Sequence, residues 1–145
     1  MHLQLRLALI VMLCAVLATS AAAPVAGADR PSGERTRVTV KSRLTGWVAR
    51  RDGYFLYRRG TTARMVVTVW PDLRGEPVRA RLEWRRAGAE WLPIEVTSAN
   101  LNRDSRALFL VRDLPAGFSF RLRARVPPGS DHRSGRSKWR YFRAI

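Results

Sequence analysis

The sequence predicts an all-β domain: an antiparallel two-sheet sandwich of seven or eight strands, placed after a cleaved N-terminal signal helix. Short runs in which apolar and polar residues alternate recur along the chain after residue 35. Gly, Pro, Asp and Asn separate these runs, and no window beyond the first segment has the apolar spacing of a helix. Alternation with a period of two is typical of strands with one buried face, and this spacing of runs is typical of sandwiches or small barrels.

The first segment of the chain has the layout of a secretory signal peptide. Arg6 precedes an apolar run of eleven residues, Leu7 to Leu17, which is too short to span a bilayer. Small residues follow, and we expect cleavage after Ala28. The sequence therefore predicts a signal peptide over 1–28, a flexible leader over 29–35 and a sandwich over 36–145. The domain is expected to be secreted or extracellular, with membrane contact only through the signal segment; retention by the cell wall stays open.

Removal of that segment leaves a strongly basic chain without cysteine. Cys14 is the only cysteine, so the sandwich has neither a disulfide nor a thiol and depends on burial for its stability. The loss of Arg6 lowers the formal charge only from +16 to +15. Among the remaining cations, all are arginine except Lys41 and Lys138. Such an excess favours anionic polymers or membrane surfaces as partners.

Eight runs are the candidate strands, each bounded by turn-forming residues. They are 36–41, 54–58, 63–70, 78–86, 91–97, 106–112, 118–126 and 138–143. The third run has apolar residues on both faces, which favours cover on both sides. In the last run Trp139, Tyr141 and Phe142 cannot all point inward without a bulge, so its register stays open.

Two of these runs carry arginines on a single face. The outward residues are Arg79, Arg81, Glu83 and Arg85 on 78–86, and Ser119, Arg121, Arg123 and Arg125 on 118–126. The residues between them are apolar. A slip of one residue would bury the arginines, so the register of both strands is strongly specified.

A turn and strand motif in the C-terminal half carries a family resemblance. Leu114-Pro-Ala-Gly-Phe-Ser-Phe120 leads into the alternating run that ends at Val126, and a Pro/Gly loop and Ser137-Lys-Trp139 follow. From Val78 to Phe142 the chain resembles a fibronectin type III or related immunoglobulin-like domain of small secreted proteins of the actinobacterial type. Phe120 stands where that family usually has a tyrosine, whose hydroxyl would bond to the backbone of the preceding turn. The resemblance implies that strands 78–86 and 118–126 are neighbours, but it implies no function, since such sandwiches have many.

Neighbouring arginine-rich strands would form one basic face. Its candidate anion-binding residues are Arg79, Arg81, Arg85, Arg121, Arg123 and Arg125. Guanidinium groups bind phosphate, sulfate and carboxylate through two parallel hydrogen bonds. Adjacent like charges oppose folding, so the alternative is a face that is only solvated and discourages unwanted sheet pairing. Trp47 and Trp91 are the candidate aromatic contacts.

Residues suited to catalysis or metal binding are sparse. His132 is the one histidine after the signal segment, and we expect it to face solvent in the loop 129–137. No nucleophile elbow, phosphate-binding glycine loop or catalytic carboxylate pair is present. Glu83, Glu90 and Glu95 alternate with arginines and are expected to form ion pairs. The sequence therefore predicts no enzyme, no metal site and no cofactor.

Three functions remain open, of which the first is preferred. It is a secreted non-catalytic binding module whose arginine face holds anionic cell-wall or extracellular polymers, with nucleic acid bound only non-specifically. The second is a protein–protein interaction or structural sandwich, in which the arginines only solvate and an apolar patch lies near Trp47 or Trp91. The third is a protease inhibitor or hydrolase; an inhibitor would present the loop 129–137.

Overall fold

The computed structural model describes residues 34–145, which contain ten strands and no helix. The strands are β1 Thr39–Thr45, β2 Ala49–Arg51, β3 Tyr54–Tyr57, β4 Ala63–Trp70, β5 Pro77–Arg85, β6 Leu92–Asn100, β7 Arg106–Val111, β8 Ser119–Val126, β9 Gly135–Arg136 and β10 Arg140–Ala144. The all-β prediction is confirmed. The predicted number of strands is too low, because β2 and β9 are too short to show an alternating pattern. The predicted signal peptide, with Cys14, and most of the predicted leader lie outside the described residues.

The strands form two sheets of three and seven strands. The smaller sheet has the order β1-β4-β7, and the larger has the order β2-β3-β10-β8-β5-β6, with β9 paired to β8. Every pairing is antiparallel except that of β3 with β10. The two arginine-rich strands, β5 and β8, pair directly, as expected.

One core lies between the sheets and is built from the alternating apolar residues. On β8 these residues are Phe120, Leu122, Ala124 and Val126, and on β5 they are Val78, Ala80 and Leu82. Burying each large apolar side chain contributes roughly 1.5–3 kcal/mol, which holds the register against a one-residue slip. On β4 the buried residues are Ala63, Met65, Val67 and Val69, while Trp70 on the other face is 69% exposed. The expectation that this strand is covered on both sides is therefore wrong.

The first strand extends further along the chain than its apolar pattern indicated. The predicted run ended at Lys41, but β1 continues to Thr45 with Ser42 and Leu44 both buried. Ser42 keeps its place inside because its hydroxyl accepts a hydrogen bond from Arg140 Nε at 3.2 Å. A buried serine interrupts an apolar pattern without interrupting the strand, which is why the run was predicted too short.

In the last strand, β10, Phe142 is the aromatic residue that points inward. Phe142 is fully buried, and its ring stacks on that of Phe120 with centroids 5.4 Å apart. Tyr57 meets Phe142 edge-on and donates a hydrogen bond from its hydroxyl to Thr45 O at 2.9 Å. Burial raises the pKa of the Tyr57 hydroxyl to about 12. Phe120 thus has a packing role that does not require the hydroxyl of a tyrosine.

Asp72 ties two loops together through hydrogen bonds. Its carboxylate accepts bonds from the Arg74 guanidinium and backbone N–H and from the Ser105 hydroxyl. Ser105 is buried and also accepts a bond from Leu73 N at 2.8 Å. The bonds from Arg74, followed by that from Ser105, lower the pKa of Asp72 from 3.8 to about 2.

The Asp72→Asn variant is expected to lose stability relative to the parent protein above pH 4. The folded-state pKa is below the unfolded one, so the ionised carboxylate stabilises the fold above the unfolded pKa, and this is lost as pH falls through about 2. In urea unfolding between pH 2 and pH 6, the difference in the free energy of unfolding between parent and variant should shrink towards zero at the acid end. Asp113→Asn is the control, since Asp113 is exposed and forms no side-chain hydrogen bond among residues 34–145. If the stability loss in Asp72→Asn depends on pH no more than that in Asp113→Asn, the ionised Asp72 carboxylate does not stabilise the fold.

Candidate anion-binding face

The outer face of the larger sheet brings all six predicted arginines onto adjacent strands. In the register of β5 and β8, Arg79 lies opposite Arg125 and Arg81 opposite Arg123, while Glu83 lies opposite Arg121. Arg85 lies opposite Ser119 and so faces no arginine directly. Directly opposed like charges cost a few tenths to about 1 kcal/mol per pair. Two such pairs join β5 and β8, so the face needs compensating interactions.

Glu83 supplies the first compensation as a buried carboxylate between two guanidinium groups. It is only 3% exposed. Arg81 Nε lies 2.6 Å from one carboxylate oxygen, and Arg121 contacts the other through Nε at 2.6 Å and Nη2 at 2.5 Å. Bonds between charged partners are roughly twice as strong as neutral ones. Two nitrogens of Arg121 share a single carboxylate oxygen, and this contact fixes the orientation of its guanidinium group. The expectation of ion pairs is confirmed for Glu83, whereas Glu90 and Glu95 form none within residues 34–145.

Tryptophan rings supply the second compensation. Arg85, Trp91, Arg121, Trp139 and Arg123 form an alternating arginine–tryptophan stack. The guanidinium carbons lie 4.4 to 4.7 Å from the ring centroids, well inside the range of cation–π attraction. At ~0.5–1 kcal/mol for each contact, the four contacts offset the repulsion of the opposed pair Arg81 and Arg123, of which Arg123 belongs to the stack. The arginines at this end of the face are therefore compatible with a stable fold.

Tyrosines extend the stack towards β3 and β10. Tyr141 lies 5.8 Å from Trp91 and 5.9 Å from Tyr54, measured between ring centroids. Arg85 Nη2 donates a hydrogen bond to the Tyr54 hydroxyl at 3.1 Å, and Arg143 lies over the Tyr54 ring. These contacts place Arg85 in a packed environment, unlike a cation held in water.

The opposite end of the face has arginines without such compensation. Arg125 pairs with Arg79 on one side and with Arg136 of β9 on the other, so three arginines lie in register across three strands. No carboxylate of residues 34–145 lies within 4.0 Å of their side-chain nitrogens. The absence of a side chain at Gly135 permits this arrangement, since a Cβ there would lie 2.7 Å from Val38 O.

A notch of about 360 Å³ opens beside these residues. We call it the arginine notch; it is lined by Arg123, Arg125, Ser134, Gly135 and Arg136. Burial lowers the pKa of the Arg123 guanidinium, and the positive charges of Arg136 and Arg81 lower it further against the opposing effect of Glu83. Cations crowded at a concave, partly desolvated position attract an anion more strongly than isolated ones in water.

The two predicted aromatic contacts lie at different sites. Trp91 belongs to the arginine–tryptophan stack, whereas Trp47 is 44% exposed and lines a groove along β1 to which none of the six arginines contributes. Sequence reasoning missed Trp139, Tyr141 and Arg136 as members of this face. The one available signal was the period-two spacing of Trp139, Tyr141 and Arg143 around the inward Phe142.

His132 does not face solvent, and that prediction is wrong. The residue is 2% exposed, and its ring packs against Gly129, where a Cβ would lie 2.4 Å from Nε2. Backbone hydrogen bonds from Thr36 N to Asp131 O and from Arg133 N to Thr36 O join this loop to the segment before β1. Across residues 34–145, no three His, Cys, Asp or Glu side chains gather as a metal site. The same residues contain no helix long and apolar enough to cross a membrane.

Comparison with known proteins gives no relative from which a role could be transferred. No family model matches the chain, and no curated protein matches it significantly.

Proposed function

We propose that this protein is a secreted, non-catalytic binding module whose arginine-rich sheet face binds anionic cell-wall or extracellular polymers. The observation that carries the proposal is the in-register row of Arg79, Arg125 and Arg136 beside the arginine notch. Elsewhere on the face, Glu83 or an aromatic ring offsets the repulsion between neighbouring arginines. Here three cations share one site with no carboxylate from residues 34–145, and an anion bound across the row would relieve their repulsion.

The proposed face divides its arginines between two roles. Arg85 and Arg121 are held in the arginine–tryptophan stack and act mainly in packing. Arg79, Arg125 and Arg136 are exposed, and Arg123 joins the stack to the notch. A polymer with repeating phosphate, sulfate or carboxylate groups fits this row better than a single small anion, because it meets several guanidinium groups along one line.

We further propose that the fold is of the fibronectin type III or immunoglobulin-like kind. The strand order supports this, with a three-stranded sheet facing a larger sheet in which β10, β8, β5 and β6 are consecutive neighbours. Secretion remains a proposal that rests on the layout of residues 1–28.

Salt-dependent retention on immobilised polyphosphate tests the binding function. Arg79, Arg125 and Arg136 are replaced together by Gln, and the matched control replaces Arg58, Arg64 and Arg103, which are exposed and form no ion pair within residues 34–145. Both variants lose the same charge. We expect only the first to elute at much lower salt and to reduce the slope of log affinity against log salt by about 2 to 3, on the rule for duplex DNA. Equal shifts in both variants would contradict the proposal.

A second candidate function rests on β6, the edge strand of the larger sheet. Leu92, Ile94 and Val96 are 51%, 50% and 62% exposed, and this is the one edge strand among the described residues without Lys or Arg. An exposed apolar edge is typical of a protein–protein contact. Sequence analysis placed the apolar patch of this alternative near Trp47 or Trp91 and did not predict this edge. Equal elution shifts in the experiment above would favour this candidate.

A further inference from the structure

A groove of about 980 Å³ follows β1 and lies apart from the arginine notch. None of its lining residues is among the six predicted arginines or among those that line the notch. Its volume is at the upper end of the range typical of sites for small molecules. The groove therefore needs an explanation that the proposed polymer-binding face does not give.

The floor of the groove has apolar residues and an aromatic pair, in which Trp47 is the accessible member; Phe55 packs against the core, and Arg50 lies over its ring. Val40 and Leu44 on β1 form part of the floor, and both are buried. Trp47 is 44% exposed, and its ring centroid lies 5.6 Å from that of Phe55 at a tilt of 55°. Such a floor favours an apolar body of a ligand over a chain of hydrated sugars or phosphates.

The rim of the groove has charges of one sign only. Its charged residues are Lys41, Arg43, Arg106, Lys138 and Arg140. Arg140 is half-buried, and its Nε donates a hydrogen bond to the Ser42 hydroxyl at 3.2 Å. Ser42 is itself only 4% exposed. No carboxylate of residues 34–145 lies within 4.0 Å of Arg140. A positioned, half-buried guanidinium without a counter-charge is a ready partner for one anionic group.

We propose that the β1 groove binds an anionic amphiphile, a molecule with one apolar body and one carboxylate, sulfate or phosphate head. The body lies on Trp47 and Phe55, and the head bonds to Arg140. Neither half of the groove alone specifies such a ligand. The apolar floor would accept a neutral molecule and the cationic rim a hydrophilic anion, but the combination favours a ligand that satisfies both. This site is independent of the proposed polymer-binding function.

Titration with three ten-carbon probes tests the proposal on the whole protein. Decanoate, decanol and decyltrimethylammonium share their chain and differ in head charge; binding is followed by calorimetry and tryptophan fluorescence below the micellar range. We expect one decanoate to bind per chain. Decanol and decyltrimethylammonium should bind at least about tenfold more weakly, because only decanoate can form the charged bond to Arg140. Equal affinity for all three heads, or no decanoate binding up to roughly millimolar concentration, would overturn the proposal.

Matched variants localise the binding. Trp47→Ala and Arg140→Gln should each weaken decanoate binding roughly fivefold or more, whereas Trp70→Ala and Arg64→Gln, which alter exposed residues outside the groove, should not. Ser42→Ala keeps the charge of Arg140 but releases its side chain, so it should also weaken decanoate binding. It takes the place of Arg140→Gln in the test if that variant does not fold. Equal loss in the Trp47 and Trp70 variants would overturn the assignment to this groove. The triple variant at Arg79, Arg125 and Arg136 should bind decanoate normally, so the failure of either proposal is seen separately.

Discussion

Glu83→Gln is expected to lower the free energy of unfolding by about 2–3 kcal/mol, the largest effect of any single polar substitution on the outer face. The substitution keeps the shape of the side chain but removes the only acid between Arg81 and Arg121. Breaking a fully buried ion pair by removing one partner costs ~3–5 kcal/mol. The expected loss is smaller because the side chains of Arg81 and Arg121 are 50% and 22% exposed and keep part of their hydration.

Urea unfolding at neutral pH measures this loss, with Glu95→Gln as the control. Glu95 is exposed on the neighbouring strand β6 and accepts one hydrogen bond from Thr97, so its replacement should cost no more than ~0.5 kcal/mol. Added salt should reduce the loss in Glu83→Gln, because the remaining guanidinium groups then repel one another less. Similar losses in the two variants would show that the Glu83 carboxylate does not hold the arginine row together.

The period-two pattern was sufficient to predict which side chains of β5 and β8 point out of the core. Val78, Ala80 and Leu82 alternate with the arginines without interruption, and burial of the apolar set permits one register only. The pairing of β5 with β8 followed from the family resemblance, and the structure contains it. Fold class and the orientation of the arginines were thus accessible from the sequence, since both depend on local alternation.

The contacts that stabilise the arginine row depend on long-range geometry and were not accessible. Trp91 lies just before β6, and Trp139 lies just before β10. Both rings reach the Arg121 guanidinium only because β10, β8, β5 and β6 are consecutive in one sheet. His132 shows the same limit in a loop. Its burial requires the space left by Gly129 and the backbone bonds to Thr36, and neither has a sequence pattern of its own.

The arginine–tryptophan stack also changes what the arginine face means for function. A row of like charges would by itself argue for a bound anion, because repulsion has to be relieved in some way. Glu83 and the rings relieve it for Arg81, Arg85 and Arg121 without any ligand. Repulsion that a bound anion would relieve is therefore confined to the far end of the face, where Arg79, Arg125 and Arg136 lie in register.

Trp139→Leu is expected to lower the free energy of unfolding by about 2 kcal/mol, because Trp139 contacts two guanidinium groups of the stack. Arg121 and Arg123 each lie 4.4 Å from its ring centroid, and each contact contributes ~0.5–1 kcal/mol, with the remainder from lost apolar cover. Leucine keeps an apolar side chain but offers no aromatic face to the cations.

The same substitution at Trp70 is the matched control for Trp139→Leu in urea unfolding. Trp70 is 69% exposed and lies over no arginine among residues 34–145, so Trp70→Leu should cost no more than ~0.5 kcal/mol. If the stack acts in packing and the far arginines act in binding, Trp139→Leu should destabilise the fold yet change the salt at which the protein leaves polyphosphate far less than the triple arginine variant does. A large loss of retention together with unchanged stability would reverse those two roles, and would make the stacked arginines the binding residues.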